Sequence, residues 1–427
     1  MNVFVFPACN EPGLEIIRSL TKSNKITLFG GSSAQVQYDP ARHLLKNYIA
    51  CPQFGKPGFA DSFQDILHEH EIDVVFPAWD PLVAEFSSWR LESTVFVTPR
   101  SEIAELCLSK GATYRRLHEV VPTPAVYTPD SAILPLFAKP DRDSGSRNTM
   151  EVKTEHQLRV AVEHGLMLCQ YLPGEEYTVD CISDLEGKLL FANPRLRAKI
   201  GRGIALGTSG VNDARLLTYV ERIAEAIKIE GPWFAQFRED AKGEPVLMEI
   251  NARVAGSMTH TRLSGINIPL IAFFLYTGDD VRIPQVRRET LVNRSLSNFV
   301  QVEAEFDWVI WDWDDTLVRK DGKPDPEAIA CLYDLHNRGI RQLLLSRNPR
   351  LDELMKTHQI PRFFVDVRQS EDKVEELGRL MASHAIDPAR CIMVNDSYVE
   401  RFAVEKQYPE LRVVGPDGLE ALGRERA

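Results

Sequence analysis

Two aspartates, Asp312 and Asp314, follow directly on an apolar run, Trp308 to Trp311, and stand two residues apart. The run predicts a buried parallel strand. Both carboxylates would then reach the cleft at the carboxyl end of the sheet, where open α/β sheets bind ligands. In such a pair, one carboxylate can attack phosphorus while the other moves protons and Mg²⁺ neutralises the phosphate oxygens. The pair therefore predicts phosphoryl-transfer chemistry.

Further polar residues follow the later apolar runs of the same segment. Ser346 ends a second predicted strand, Lys373 opens a helix, and Asp396 ends a third strand, with Glu400 one turn beyond it. Carboxylate, hydroxyl and ammonium groups at neighbouring strand ends are the groups that an aspartyl-phosphate mechanism needs.

A second group of oxygen donors precedes this segment. Glu249 and Asn251 alternate along a predicted strand, so both side chains point to one face, and Gln236 lies on another strand. Oxygen ligands on one face suit Mg²⁺ that bridges nucleotide phosphates. Arg253, two residues further on, suits a developing negative charge.

Two more patterns are weak alone but fit the same chemistry. Lys139 leaves a predicted strand before a loop of small residues, 141–147, where charge and backbone N–H groups can contact phosphates. The linker from Gln170 to Glu176 joins two strands. Its exposed backbone could contact the adenine edge, and a carboxylate just beyond it could hold ribose hydroxyls.

The bulk properties exclude several classes of protein. With 427 residues the chain exceeds one ordinary core, and its net charge of −11 disfavours nonspecific nucleic-acid binding. The seven cysteines show neither a Cys-x-x-Cys pair nor a zinc spacing, which predicts reduced thiols in a cytoplasmic protein. We expect no signal peptide and no membrane span, because the longest apolar run, 268–276, is far shorter than the ~20 residues that a span needs.

The fold class predicted from the chain is α/β multidomain. Residues 1–105 alternate short strands and helices, which predicts a small parallel α/β domain, and they lack the glycine fingerprint of nicotinamide-binding folds. Residues 106–303 mix strands, helices and glycine-rich breaks, which predicts an α+β domain. Residues 304–427 alternate strand and helix, which predicts a doubly wound, Rossmann-like parallel sheet.

Residues 110–267 resemble the ATP-grasp superfamily in its carbamoyl-phosphate-synthase-like branch. The string from Met248 to Arg253 is close to the family's Glu-x-Asn-x-Arg metal motif, with Ala252 where proline is usual. The Leu-x-Gly-Glu-Glu-Tyr element and the Pro-Arg-Leu-Arg string at 194–197 also match this branch. Residues 1–105 would be the family's N-terminal α/β domain, which helps to form the substrate cleft.

The resemblance implies a role for each matching residue. Lys110 and Lys139 would contact phosphates, Gln170 to Leu172 would bind adenine, and Glu176 would bind ribose. Gln236, Glu249 and Asn251 would hold Mg²⁺. Arg253 would stabilise the transferring phosphoryl group and the acyl phosphate. The family chemistry is activation of a carboxylate by ATP, followed by attack of an amine or another nucleophile.

Residues 304–415 resemble the haloacid-dehalogenase (HAD) superfamily. The resemblance implies that Asp312 is the nucleophile and Asp314 the general acid, then the base. Ser346 and Lys373 would bind the phosphoryl group, and Asp396 would complete a Mg²⁺ site with Asp312 and Asp314. Two departures are Asp315, where glycine is frequent, and the Asn395 to Glu400 pattern. No cap insertion is evident, so we expect a capless site.

The leading hypothesis is a bifunctional enzyme that uses ATP and Mg²⁺. The ATP-grasp part would ligate a small-molecule carboxylate to an amine, and the HAD part would remove phosphate from a phosphorylated metabolite. Two alternatives remain open at this point. The HAD part could be a transferase of a phosphorylated acid, or it could be a regulatory module on a nucleotide-binding protein. A homo-oligomer is also left open, and the substrates are not identified.

Overall fold

The structure, a computed structural model, divides into two compact units, residues 1–296 and 297–426. It describes residues 1–33, 36–142, 148–201, 203–283, 290–296, 305–360 and 363–422, without the side chains at 36 and 421. The predicted domain boundary at 303/304 lies outside the described residues. The predicted boundary at 105/106 falls inside a helix, Ser101–Leu108.

The first unit begins with a five-stranded parallel sheet in the order β3-β2-β1-β4-β5. Its strands are β1 (Asn2–Phe6), β2 (Thr27–Ser32), β3 (Asn47–Ala50), β4 (Val74–Pro77) and β5 (Val95–Phe96). The accompanying helices are α1 (Glu11–Leu20), α2 (Phe59–Glu69), α3 (Asp80–Ser87), α4 (Ser101–Leu108) and α5 (Lys110–Leu117). The strand order reverses between β1 and β4, which places a crevice at the carboxyl ends of these two strands.

Helix α1 illustrates why these residues form their elements. The Asn10 side chain accepts a hydrogen bond from the backbone N–H of Gly13, which caps the helix, and Pro12 lies in the first turn. Ile16 and Leu20 are buried against the sheet. The Asn10 amide also donates to the carbonyl of Ala78 at 2.8 Å, so the ends of β1 and β4 are tied together.

A small antiparallel sheet follows in the order β6-β9-β7-β8. Its elements are β6 (Val126–Tyr127), β7 (Leu136–Lys139), β8 (Met150–Val152), α6 (Glu155–Glu163) and β9 (Met167–Gln170). Lys139 and Gln170 therefore each end a strand of this sheet.

A six-stranded antiparallel sheet completes the unit in the order β14-β13-β10-β11-β12-β15. Its strands are β10 (Glu176–Ser183), β11 (Leu189–Gly201), β12 (Ile204–Gly210), β13 (Gly231–Glu239), β14 (Pro245–Asn251) and β15 (Leu291–Asn293), and the helices are α7 (Ala214–Ile227), α8 (Thr259–Leu263) and α9 (Ile268–Tyr276). Trp233 and Phe237 on one face pack in the same core as Val220 of α7. This apolar face anchors the sheet and leaves the other face for polar residues.

The second unit is a five-stranded parallel sheet in the order β18-β17-β16-β19-β20. Its elements are β16 (Trp308–Trp311), α10 (Pro326–Asn337), β17 (Arg341–Ser346), α11 (Leu351–Thr357), β18 (Phe364–Gln369), α12 (Lys373–Ser383), β19 (Cys391–Val394), α13 (Tyr398–Gln407) and β20 (Arg412–Val414). The central strand β16 contributes Val309 and Trp311 to one apolar core and Trp308 and Ile310 to another. Burial on both faces explains its continuous apolar sequence.

The predicted mixed α/β architecture with several sheets is confirmed. Within the described ranges, every helix is too short or too polar to cross a bilayer.

Candidate active sites

One face of the six-stranded sheet is polar. Directly paired residues of neighbouring antiparallel strands project to the same face. Arg195 pairs with Thr178, Thr178 with Gln236, and Gln236 with Glu249, which makes one row across four strands. Asn251 lies two residues beyond Glu249 on β14 and so belongs to the neighbouring row on the same face. The three predicted metal ligands therefore share one face.

This face contains buried polar atoms that lack a hydrogen-bond partner among the described residues. They are Thr178 Oγ1, Arg195 Nη1, Arg197 Nε and Asn251 Nδ2. The other nitrogens of Arg195 are bound to Asp180, at 2.8 Å through Nε and 2.9 Å through Nη2. Because buried polar groups in proteins nearly always have partners, these atoms are donors that a bound group could use.

Two predicted phosphate-binding lysines lie beside these residues. Lys110, the first residue of α5, places Nζ 3.6 Å from Oε2 of Glu249. Lys139 donates to the hydroxyl of Tyr114 at 2.7 Å, and its burial lowers the pKa of the ammonium group. The loop that was predicted to cradle phosphates lies outside the described residues from 143 to 147.

The predicted nucleoside residues lie where the small sheet joins the large one. Gln170 ends β9 and its backbone N–H donates to the carbonyl of Ala125 at 2.8 Å, while Leu172 is buried. Glu176, the predicted ribose ligand, begins β10. Its carboxylate lies 3.0 Å from Nη1 of Arg197 and 3.9 Å from Nη1 of Arg238, so arginines already contact it.

Arg253 has a partner that the sequence did not indicate. Its Nε and Nη2 donate to the two carboxylate oxygens of Asp80 at 2.8 and 2.7 Å. Asp80 is the first residue of α3, at the carboxyl end of β4. The two partners are 173 positions apart, so no local spacing links them. Only the position of Asp80, just after an apolar strand, could have signalled it.

The residues present on the polar face fit Mg²⁺. Glu249 offers a carboxylate, and Gln236 and Asn251 offer amide oxygens. No group of three or more His, Cys, Asp or Glu side chains in the described ranges is placed to hold a metal. A Mg²⁺ ion here would thus depend on one carboxylate, amides and nucleotide phosphates, which matches its preference for few protein carboxylates.

The second unit brings Asp312, Lys373 and Glu400 together at the carboxyl end of β16. Lys373 Nζ lies 2.8 Å from Oδ1 of Asp312 and donates to Oε2 of Glu400 at 2.7 Å. Asp312 also accepts from the backbone N–H of Trp313 at 2.7 Å. One buried ammonium therefore bridges two carboxylates.

Burial and charge act differently on the two carboxylates. Burial raises the pKa of Asp312 to about 6, although the charge and hydrogen bond of Lys373 oppose the rise. Burial also opposes ionisation of Glu400. However, hydrogen bonds from Lys373 and Asn395, together with the charges of Lys373 and Arg347, lower its pKa below the usual value. Glu400 is thus ionised under conditions in which Asp312 is partly protonated.

Asn348, which the sequence did not indicate, links the other predicted residues. Its side-chain amide donates to both carboxylate oxygens of the exposed Asp314, at 3.1 and 3.2 Å. Its backbone N–H donates to Oγ of the buried Ser346 at 3.0 Å. Asp315 has a φ of 52°, a left-handed backbone conformation that glycine adopts more readily than aspartate.

Asp396 follows the carboxyl end of β19, next to residues whose hydrogen bonds hold this end of the sheet. Asn395 donates to Oε2 of Glu400 at 2.8 Å and accepts from the backbone N–H of Ser397 at 2.7 Å. Asp312 and Asp396 follow adjacent parallel strands, so both lie at the carboxyl end of the sheet. Two carboxylates with phosphate and water oxygens suit Mg²⁺.

Comparison with known proteins supports one of the two resemblances. A family model described as an ATP-grasp in the biosynthetic pathway with Ter operon matches residues 163–297. Among solved structures, the biotin carboxylase domain dimer of the Hydrogenobacter thermophilus 2-oxoglutarate carboxylase, in complex with MgADP, ADP and bicarbonate, has a TM-score of 0.58. It is 17% identical, over 68% of this chain and 73% of that chain.

Residues 163–297 thus match an ATP-grasp family model, and the chain shares the fold of these solved structures. Biotin carboxylase from Campylobacter jejuni, in a β,γ-ATP complex, has a TM-score of 0.56 at 16% identity, over 67% of this chain and 73% of that chain. An ADP complex of N5-carboxyaminoimidazole ribonucleotide synthetase has a TM-score of 0.55 at 11% identity, over 68% and 80% of the two chains. No curated protein sequence matches the chain. The HAD resemblance stays a prediction.

Proposed function

We propose that the ATP-grasp domain ligates a small-molecule carboxylate to an amine through an acyl phosphate, with ATP as the phosphoryl donor. The observation that carries this proposal is the polar face around Gln236, Glu249 and Asn251, whose buried donors lack partners among the described residues. The ATP-grasp fold and the ADP-bound relatives of that fold support a nucleotide as the missing group.

Each residue of the face has a distinct task in this reaction. Lys110 and Lys139 attract the phosphates by charge, while Gln170 to Leu172 and Glu176 bind the nucleoside. Mg²⁺ held by Gln236, Glu249 and Asn251 would neutralise phosphate oxygens. The substrate carboxylate attacks the terminal phosphorus of ATP, ADP leaves, and Arg253 stabilises the charge of the transferred group. The amine then attacks the acyl carbon and phosphate leaves.

Replacing Glu249 tests the nucleotide site. ADP release is measured with the full chain against a panel of acids and amines. We expect Glu249→Gln to lose at least ~100-fold in rate, since one carboxylate of the Mg²⁺ site becomes neutral. The exposed Glu221 on α7 offers a matched control, and Glu221→Gln should keep the wild-type rate. Unchanged turnover of Glu249→Gln would contradict the proposed site.

We also propose that the second unit hydrolyses a phosphate ester. The carrying observation is Lys373, which bridges Asp312 and Glu400 at the carboxyl end of the central strand. Asp312 attacks phosphorus, the bond from phosphorus to the ester oxygen breaks, and Asp314 gives its proton to the leaving alcohol. Asp314 then takes a proton from water, which attacks the aspartyl phosphate and releases phosphate. Asp312 and Asp396 would hold Mg²⁺, which would neutralise the phosphoryl oxygens, while Asp314, which carries the proton, stays outside the ligand set.

Replacing Asp312 tests both the proposed phosphatase activity and its independence from the ligase site. We expect Asp312→Asn to abolish phosphate release from p-nitrophenyl phosphate, because the nucleophile is gone, while ATP-dependent ligation persists. Asp321→Asn, at an exposed position of the same unit, is the matched control. Loss of ligation by a folded Asp312→Asn protein would contradict two independent sites. Phosphoryl transfer to an acceptor without phosphate release would identify a transferase instead.

The setting that fits both activities is small-molecule biosynthesis, in line with the description of the matching family model. We infer a cytoplasmic location, which is supported by seven cysteines that are all thiols, not disulfides. The partners would be a carboxylate, an amine and a phosphorylated metabolite.

A further inference from the structure

We infer that Asp80 is a positioning residue that sets Arg253 as an oxyanion site for the phosphoryl group transferred at the ATP-grasp domain. The inference rests on the proposed ligase function and adds a residue of the N-terminal sheet to it. Asp80 does not itself touch the substrate in this scheme. It acts through Arg253.

The hydrogen bonds of Arg253 leave donors for an anion. A guanidinium has five N–H groups. Asp80 accepts one from Nε and one from Nη2, and the carbonyl of Val254 accepts one from Nη1 at 3.1 Å. One N–H on each terminal nitrogen therefore has no acceptor among the described residues. Two N–H groups on adjacent nitrogens can form the fork that binds two oxygens of a phosphate.

The environment of the pair keeps the guanidinium in this orientation. The side chains of Arg253 and Asp80 are only 11% and 12% exposed. The guanidinium carbon lies 5.3 Å from the centre of the Phe234 ring, so it also has a cation–π contact. Asp80 opens α3, where a helix N-terminus favours a negative charge.

The chain beyond Arg253 is fixed to the same N-terminal domain. Arg262 donates to Oε1 of the buried Glu15 at 2.7 Å. Gly256 packs so closely on α1 that an added Cβ would lie 2.6 Å from Cβ of Glu11. The segment after β14 is therefore held by α1, which follows β1, and by Asp80, which follows β4. Asp80 is the residue that contacts Arg253.

Neutralising Asp80 distinguishes two effects that it could have on anion binding: positioning of Arg253 and direct charge repulsion. A carboxylate beside the site repels an anion, so its neutralisation alone would strengthen anion binding. If Asp80 positions Arg253, neutralising Asp80 instead lets the guanidinium rotate out of its orientation toward the phosphate. Phosphate binding then weakens. The two roles therefore predict opposite signs.

The experiment measures inorganic phosphate binding by calorimetry to the full chain saturated with MgADP. We expect phosphate to bind the wild type, and Arg253→Met to lose it. Asp80→Asn should weaken it about tenfold, since a charge-assisted hydrogen bond no longer fixes the fork. Asp80→Glu should restore part of the affinity. MgADP affinity should stay unchanged in all variants and in the control Asp61→Asn, at an exposed position of α2.

Phosphate binding by the variants decides whether Asp80 positions Arg253. Equal or tighter phosphate binding by Asp80→Asn, or phosphate binding by Arg253→Met, overturns the inference while the ligase proposal stands. A wild-type protein that does not bind MgADP refutes the ligase proposal and this inference with it. If Asp80→Asn fails to fold, as lost MgADP binding would show, Asp80→Glu gives the test. It keeps the charge but moves the carboxylate, so undiminished phosphate affinity would contradict positioning.

Discussion

At the scale of single residues, both sites hold charges at a cost to the fold. Asp312 is 4% exposed, and its pKa of about 6 shows that its neighbours do not fully compensate for burial. Lys139 has a lowered pKa for the same reason, because burial disfavours its charged form. Strongly perturbed groups of this kind cluster at functional sites, where chemistry requires them.

The pKa of Asp312 predicts a pH-dependent gain in stability on its replacement. A carboxyl whose pKa rises from 3.8 to about 6 on folding destabilises the fold above pH 6, and the penalty disappears as the pH falls toward 3.8. We expect Asp312→Asn to stabilise the second unit by up to about 3 kcal/mol at pH 8. Urea unfolding should show a clearly smaller gain at pH 5. An equal gain at both values would contradict the raised pKa.

Tyr114 should govern the charge of Lys139. Its hydroxyl is the nearest acceptor for the ammonium group, at 2.7 Å. In Tyr114→Phe the ammonium loses that acceptor, so its pKa falls further and the lysine is neutral at a lower pH. We expect MgADP affinity, as measured by calorimetry, to begin its decline with rising pH at a lower pH than in the wild type. Tyr38→Phe, at a position 76% exposed, should behave like the wild type.

At the scale of elements, the contact between α1 and the segment after β14 can be tested with two glycines. In Gly256→Ala, the new Cβ would meet the Cβ of Glu11 at 2.6 Å, so α1 or the segment must shift. We expect a loss of about 1–3 kcal/mol in unfolding free energy, together with a lower ligation rate. At Gly210 the nearest atoms lie 3.5 Å away, and Gly210→Ala should be nearly neutral. Similar effects at both glycines would contradict this contact.

Elements with continuous apolar sequences were predictable, and those with mixed sequences were not. The strand expected at 308–311 has these bounds in the structure, and its continuous apolar sequence reflects burial on both faces. Strand β18, Phe364–Gln369, was missed. It lies at the edge of its sheet, and charged side chains interrupt its pattern. Edge strands face water on one side and so give a weak apolar signal.

At the scale of the whole molecule, the two units have separate apolar cores. We expect two heat-unfolding transitions in calorimetry. MgADP should raise only the transition of residues 1–296, because a ligand stabilises the unit that binds it. Asp312→Asn should shift only the other transition. A single transition that responds to both changes would show that the units unfold together.

The sequence alone suggested a chemistry for each unit, but not how distant residues pair. Gln236, Glu249 and Asn251 were expected on one face because strand alternation is a local rule. The pairs Asp80–Arg253 and Asp180–Arg195 depend on tertiary packing. Their members are 173 and 15 residues apart, and neither spacing follows a helix or strand period. Arginine and aspartate occur throughout the chain, so residue type alone could not show which arginine pairs with which aspartate.

The pairing of Asp80 with Arg253 also has a consequence for synthesis on the ribosome. The strands of the N-terminal sheet are close in sequence and can associate soon after they emerge. Arg253 emerges 173 residues after Asp80, and Arg294, which pairs with Glu11, follows 283 residues after its partner. Such long loops close slowly. A nascent chain should therefore form its first sheet early and complete the proposed nucleotide site only late in translation.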